Sequence, residues 1–237
     1  MLSNVSIADP VLSVLVAVGA FQVAWLSVVL FRRGIHPVNI QYALTPILTI
    51  WVLMWPVYTD ARWLWVGLIG FAVPSLLAYL LNFPFWQHLR TVWTAPALDS
   101  PVRDNIDLPP LTHLITALLI AGTWFQTIPE FGFGLALRLS LAFPAAHWVD
   151  QFGQQKFKKL GFPTHPEQTL AGHLSLIFIC TGLLCWSLNV YHGTDWKTLF
   201  IATLIAGMAA SATRALIPGQ WNTPAAMLTM GFVMWIL

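Results

Sequence analysis

Apolar runs long enough to cross a lipid bilayer recur along this whole chain, at about 11–31, 42–59, 63–86, 110–128, 132–149, 169–191, 198–217 and 223–237. A spanning helix needs about 20 residues to traverse the hydrocarbon core, where every backbone N–H and C=O must find its partner inside the protein. Repeated runs of this length predict an all-α fold: a polytopic integral membrane helical bundle of about seven to eight transmembrane helices. The range reflects the last run, which offers only fifteen residues. One transmembrane domain covering 1–237 is the expected organisation.

Composition agrees. Charged residues make up 8% and hydrophobic residues 57% of the chain, whereas soluble domains carry about 25% charged residues. A net charge of +2, with the basic residues dispersed, gives no reason to expect a nucleic-acid partner. The opening MLSNVSIADP lacks a basic n-region and leads into a run long enough to span, so no cleaved signal is expected. Cys180 and Cys185 lie five apart within one apolar run, which suits small buried hydrophobes better than a zinc or redox pair. Pro56, Pro74, Pro84 and Pro144 are expected to kink or end helices. Tryptophans such as Trp63, Trp86, Trp148, Trp186 and Trp196, near the ends of runs, fit an interfacial aromatic belt.

Basic residues set the orientation. With eight spans, the odd-numbered loops hold Arg32, Arg33, Arg90, Arg103, Lys156, Lys158, Lys159 and Arg214, while the even-numbered loops hold Arg62 and Lys197. By the positive-inside rule the odd loops face the cytoplasm or its organellar equivalent. Which membrane this is does not follow from the rule. The loop 87–109 is then cytoplasmic, with a short interfacial helix at its start. Arg138 falls within a span, where snorkelling or pairing with Glu130 is the expected outcome, the alternative being that it faces a polar cavity.

Three cytoplasmic patches carry most of the polar chemistry: FRRGIHPVN at 31–39, the stretch from His147 to His173, and RALIPGQWNTP at 214–224. Each has an ordinary reading. Arginines after a first span set topology, loop lysines hold to anionic headgroups, and Asn222 before Thr223-Pro224 can start a helix. Asp150 and His173 stand out, because ionisable groups at span ends are costly to bury and tend to be paired or functional.

Together the patches resemble the membrane kinase family that includes phytol kinase, dolichol kinase and the CTP-dependent diacylglycerol kinases. That family has an Arg-Lys-x-x-His element after an early span, to which Arg32-Arg33-Gly34-Ile35-His36 is similar. Its Trp-Gly-Asp element resembles Trp148-Val149-Asp150. Its Lys-Thr/Ser-x-Glu-Gly-Ser element corresponds to Gln168-Thr169-Leu170-Ala171-Gly172-His173. Its later glutamate, Asp-Asn and Pro fall at Arg214, Trp221-Asn222 and Pro224.

The resemblance implies phosphoryl transfer from CTP, with Mg2+, to an isoprenoid alcohol or other membrane lipid held between helices. It implies catalytic roles for Asp150, His36 and His173, with Asp150 also the metal ligand. Arg32, Arg33, Lys156, Lys158, Lys159 and Asn222 would bind the nucleotide. The departures are equally specific. Gln168 stands for Lys, Ala171 for Glu, His173 for Ser, Arg214 for Glu and Trp221 for Asp, so a lone Asp150 is left for the metal. The alternative is therefore a catalytically degenerate member, acting as a structural or lipid-binding subunit beside other membrane subunits. A small-solute transporter is the weaker third reading, since no pair of broken helices recurs in matching halves.

Overall fold

A computed structural model of the chain describes residues 8–44, 46, 58, 60–95, 129–153, 156, 159–161, 168–193, 195–217 and 221–236. Among these the regular structure is helical, and an isolated bridge between Lys159 and Thr169 is the β-type pairing present. The chain divides into two compact units, Met1–Ala95 and Pro96–Leu237.

The first unit contains α1 (Ala8–Arg32), α2 (Pro37–Leu44), α3 (Ala61–Leu80) and α4 (Pro84–Trp93). α1 packs along α3, and α2 and α4 lie against α1. The contact is close at Gly70, where a Cβ would come within 3.0 Å of Ala17. At one end Asp60 caps α3 by accepting the Arg62 N–H at 2.9 Å. Buried Asp9 ties that cap to α1 by accepting the Asp60 N–H at 3.0 Å.

The sequence reads 63–86 as one span, but the structure ends α3 at Leu80 and starts α4 at Pro84. Proline has no N–H to give a preceding turn and is favoured in the first turn of a new helix. Arg90 holds the corner by donating Nε to the Ala78 carbonyl and Nη2 to the Tyr79 carbonyl, both at 2.8 Å. Leu89 and Val92 of α4 are buried while Gln87 and Thr91 are exposed. This amphipathic helix is the one expected at the start of the 87–109 loop, beginning three residues earlier than that loop.

The second unit contains α5 (Pro129–Gly153), α6 (Leu170–His192), α7 (Trp196–Leu216) and α8 (Asn222–Ile236), each packed on the next. Pro144 lies inside α5 without ending it. Leu135, Phe143, Leu176, Leu184, Met227 and Met230 form its apolar core. Side-chain pairings fix the directions. Asp150 meets Thr169, and Arg138 meets Cys180, so α5 and α6 are antiparallel. His173 meets Ser211, and Cys185 meets Thr203, so α7 runs antiparallel to α6. Gly207 permits that contact, since a Cβ there would lie 3.2 Å from the Ile177 carbonyl oxygen. The alternation gathers the end of α5, the start of α6, the end of α7 and the start of α8 at one end of the unit.

Three of the described helices are long and apolar enough to cross a membrane: α1, α6 and α7. Large apolar side chains such as Leu15, Trp25, Phe178, Trp186 and Ile201 point outward from them, as a lipid solvent allows. The expected span at 110–128, and most of that at 42–59, lies outside the described residues.

Candidate functional site

Asp150 sits one turn before the end of α5 and is 3% exposed. A carboxylate buried there needs donors, and two other elements supply them. Its Oδ1 accepts both the backbone N–H of Thr169 at 2.7 Å and the Thr169 hydroxyl at 2.8 Å. Its Oδ2 faces Arg214 Nη2 at 3.2 Å, forming an ion pair whose side chains are 4% and 6% exposed.

Thr169 serves two elements. It is the N-cap of α6, its Oγ1 accepting the Gly172 N–H at 3.0 Å while the hydroxyl proton goes to Asp150. This satisfies one of the orphan amides of the helix start. Gly172 is required by space, because a Cβ there would overlap the Asp150 carboxylate. Lys159 pairs with Thr169 in the isolated bridge, and the Leu160 N–H donates to the Gln168 carbonyl at 3.1 Å. Residues 159–160 are thus pinned onto the start of α6.

A second chain of hydrogen bonds runs alongside. His173 Nε2 lies 2.8 Å from Gln168 Oε1, and His173 Nδ1 lies 2.7 Å from Ser211 Oγ. A carbonyl oxygen can only accept, so Nε2 carries the proton, and in the neutral ring Nδ1 accepts the Ser211 hydroxyl. Ser211 and Arg214, three apart on α7, share one face. One acid, one arginine, one imidazole, an amide and two hydroxyls therefore form a single buried cluster made by α5, α6 and α7. Two of its donors, Arg214 Nη1 and Gln168 Nε2, have no hydrogen-bond partner among the described residues.

Of the residues picked out by sequence, Asp150 and His173 are in this cluster. Lys156 and Lys159 are exposed on the connection between α5 and α6, and Lys158 lies outside the described residues. Asn222 opens α8, where its Oδ1 accepts the Thr223 hydroxyl at 2.9 Å. Arg32, Arg33 and His36 belong to the first unit, exposed on the turn from α1 to α2 that Gly34 makes with φ 82°. Ser211 carried no signal in sequence beyond its spacing from Arg214. Arg214, read in sequence as a loop cation and as a departure from the family's glutamate, lies instead in the last turn of α7 and is buried.

Magnesium, which the resemblance implies at Asp150, does not fit the residues present. The ion demands an octahedron of oxygen ligands, yet Oδ1 already takes two donors and Oδ2 faces a guanidinium. A resident cation at that distance repels a second one. Among the described residues no group of three or more His, Cys, Asp or Glu side chains comes together to ligate a metal.

Arg138 lies deeper in the same unit. It is fully buried and donates Nε to the Cys180 carbonyl at 3.1 Å, so it packs into the helix interface and does not snorkel.

Compared with protein-family models, with curated proteins and with solved structures, the chain matches none.

Proposed function

We propose that this chain is an integral membrane protein crossing the bilayer seven or eight times, with its motif-bearing loops on the cytoplasmic side. In it a phosphotransferase-like site has become a fixed polar joint. Its role is that of a structural or lipid-binding subunit of a membrane complex, with kinase-like ancestry and without CTP-dependent kinase activity. One observation carries this reading: Asp150, the acid that such chemistry would give to a metal, is bonded by Thr169 and ion-paired with buried Arg214. Phosphoryl transfer depends on electrostatic stabilisation by metal and donors. Each tenfold loss of rate corresponds to about 1.4 kcal/mol of barrier, so replacing a metal by an arginine forfeits orders of magnitude. Helix packing and apolar lipid contacts do not depend on the missing acids and survive their loss.

The test is direct. Purified protein receives CTP carrying a labelled terminal phosphate, Mg2+, and phytol, farnesol or diacylglycerol in mixed micelles. The expected result is no transfer above a protein-free control, with isoprenoid or other lipid co-purifying. Robust Mg2+-dependent labelling of an alcohol would overturn the reading and restore the isoprenoid-alcohol kinase.

A further inference from the structure

We infer that the outer side of α1 docks a second copy of this chain, the Gln22 amides of the two copies bonding each other inside the bilayer; this rests on the reading of α1 as a membrane span. Gln22 is exposed and has no hydrogen bond among the described residues. It stands ten residues before Arg32, the basic residue in the last turn of the helix. At about 1.5 Å per residue that is about 15 Å, half of a hydrocarbon core about 30 Å thick. An amide at that depth finds no water, and leaving it unbonded is costly. The two serines of α1 have partners within the unit. Ser13 donates to the Trp63 carbonyl at 2.7 Å, and Ser27 accepts the Trp93 indole N–H at 3.2 Å. Among the described residues, Gln22 is the polar side chain exposed near the middle of a helix long and apolar enough to cross. At mid-length α6 turns out Phe178 and Trp186, and α7 turns out Ile205 and Met208.

The exposed side of α1 has the spacing of a helix–helix seam. Val11, Leu15, Val18, Gln22, Trp25 and Val29 follow one another in alternating steps of four and three. That is a repeat of about 3.5 residues, which keeps one line of side chains facing a partner helix. All of them are exposed except half-buried Val29, and they lie opposite the side on which Val16, Ala20 and Ala24 are buried. Leu15, Gln22 and Val29 take one of the two core positions of the repeat, and a single polar residue there fixes register and partner number. A carboxamide both donates and accepts, so it complements itself. Copies inserted with the same topology present Gln22 at the same depth. A two-fold axis along the membrane normal then lets the carbonyl of each accept an N–H of the other. Gly19, on the flank of the seam, has open space where a Cβ would lie, so a second backbone can come close beside the amides.

The full chain, in a background lacking Cys180 and Cys185, is reconstituted in phosphatidylcholine vesicles. Oxidative cross-linking should join copies carrying Leu15→Cys or Val18→Cys, and not those carrying Ala20→Cys or Ala24→Cys on the opposite side. Förster transfer between copies labelled at Lys156→Cys, followed as added lipid dilutes the protein, reads the affinity. Gln22→Leu should weaken association about tenfold, whereas Gln22→Asn keeps an amide at that depth and should retain most of it. Should Gln22→Leu fail to fold, the cross-linking pattern still decides. Absence of transfer, transfer unaltered by Gln22→Leu, or cross-links as strong at Ala20 and Ala24 as at Leu15 and Val18 overturns the inference and leaves the membrane reading standing. Labelling of Val18→Cys by a membrane-impermeant maleimide would instead show that α1 does not span, and would overturn both.

Discussion

Gly172 has no room for a side chain because the Asp150 carboxylate stands where a Cβ would go. The cluster's geometry thus depends on the absence of one methyl group. Gly172→Ala should push the start of α6 away from α5, an overpacking cost of about 1–3 kcal/mol. A lowered thermal midpoint in detergent, with helix content unchanged, is the expected result; an unchanged midpoint would show that α6 can shift freely. The sequence made Asp150 and His173 conspicuous because each is an ionisable group at the edge of an apolar run. It could not show that the partner of Asp150 lies 64 residues further along. Charge pairing across helices leaves no periodic trace in one sequence, and Arg214 was legible as a topology cation and a departure from a family pattern, not as the partner of Asp150.

Helices were the most legible elements, since an apolar run of about 20 residues in lipid has few other ways to satisfy its backbone. Their ends depend on local chemistry. Pro84, expected to kink or end a helix, stands where α4 starts, yet the 63–86 run gave no sign that Arg90 would cap α3 from α4. Thr169 is the corresponding device for α6, capping its own helix and bonding Asp150 with one hydroxyl. Thr169→Val keeps shape and β-branching but removes both bonds. Loss of an N-cap costs about 1 kcal/mol, and leaving a buried carboxylate short of a donor costs about 1–3 kcal/mol more. Chemical unfolding should register a loss of about 2–4 kcal/mol. A loss no larger than a cap alone would mean that the Thr169 hydroxyl does not support Asp150.

At the scale of the whole molecule, the apolar runs predicted helices and a membrane, and the regular structure among the described residues is helical. Three helices among the described residues meet the length and apolarity for crossing. Hydropathy alone did not reveal the division into two compact units, because a boundary depends on which runs pack together. The antiparallel order of α5 to α8 bears on topology. Single cysteines at Lys156 and Trp221, in a background lacking Cys180 and Cys185, should be labelled by a membrane-impermeant maleimide from the cytoplasmic side. A cysteine at Asp195 should be labelled from the other. Labelling of Lys156 and Trp221 from opposite sides would break the shared polar end.

The pairing of Asp150 with Arg214 is the centre of this account, and a double-mutant cycle on stability measures it most directly. Asp150→Asn alone leaves a buried arginine without its anion, and Arg214→Met alone leaves a buried carboxylate without its cation. Breaking such a pair from one side costs about 3–5 kcal/mol, while replacing both partners is often close to neutral. Each single variant should unfold at clearly lower denaturant and the double variant should recover most of the loss, a coupling of about 2 kcal/mol or more. Additive losses, or an Asp150→Asn protein as stable as the wild type, would contradict it and return Asp150 to the role of a free metal ligand.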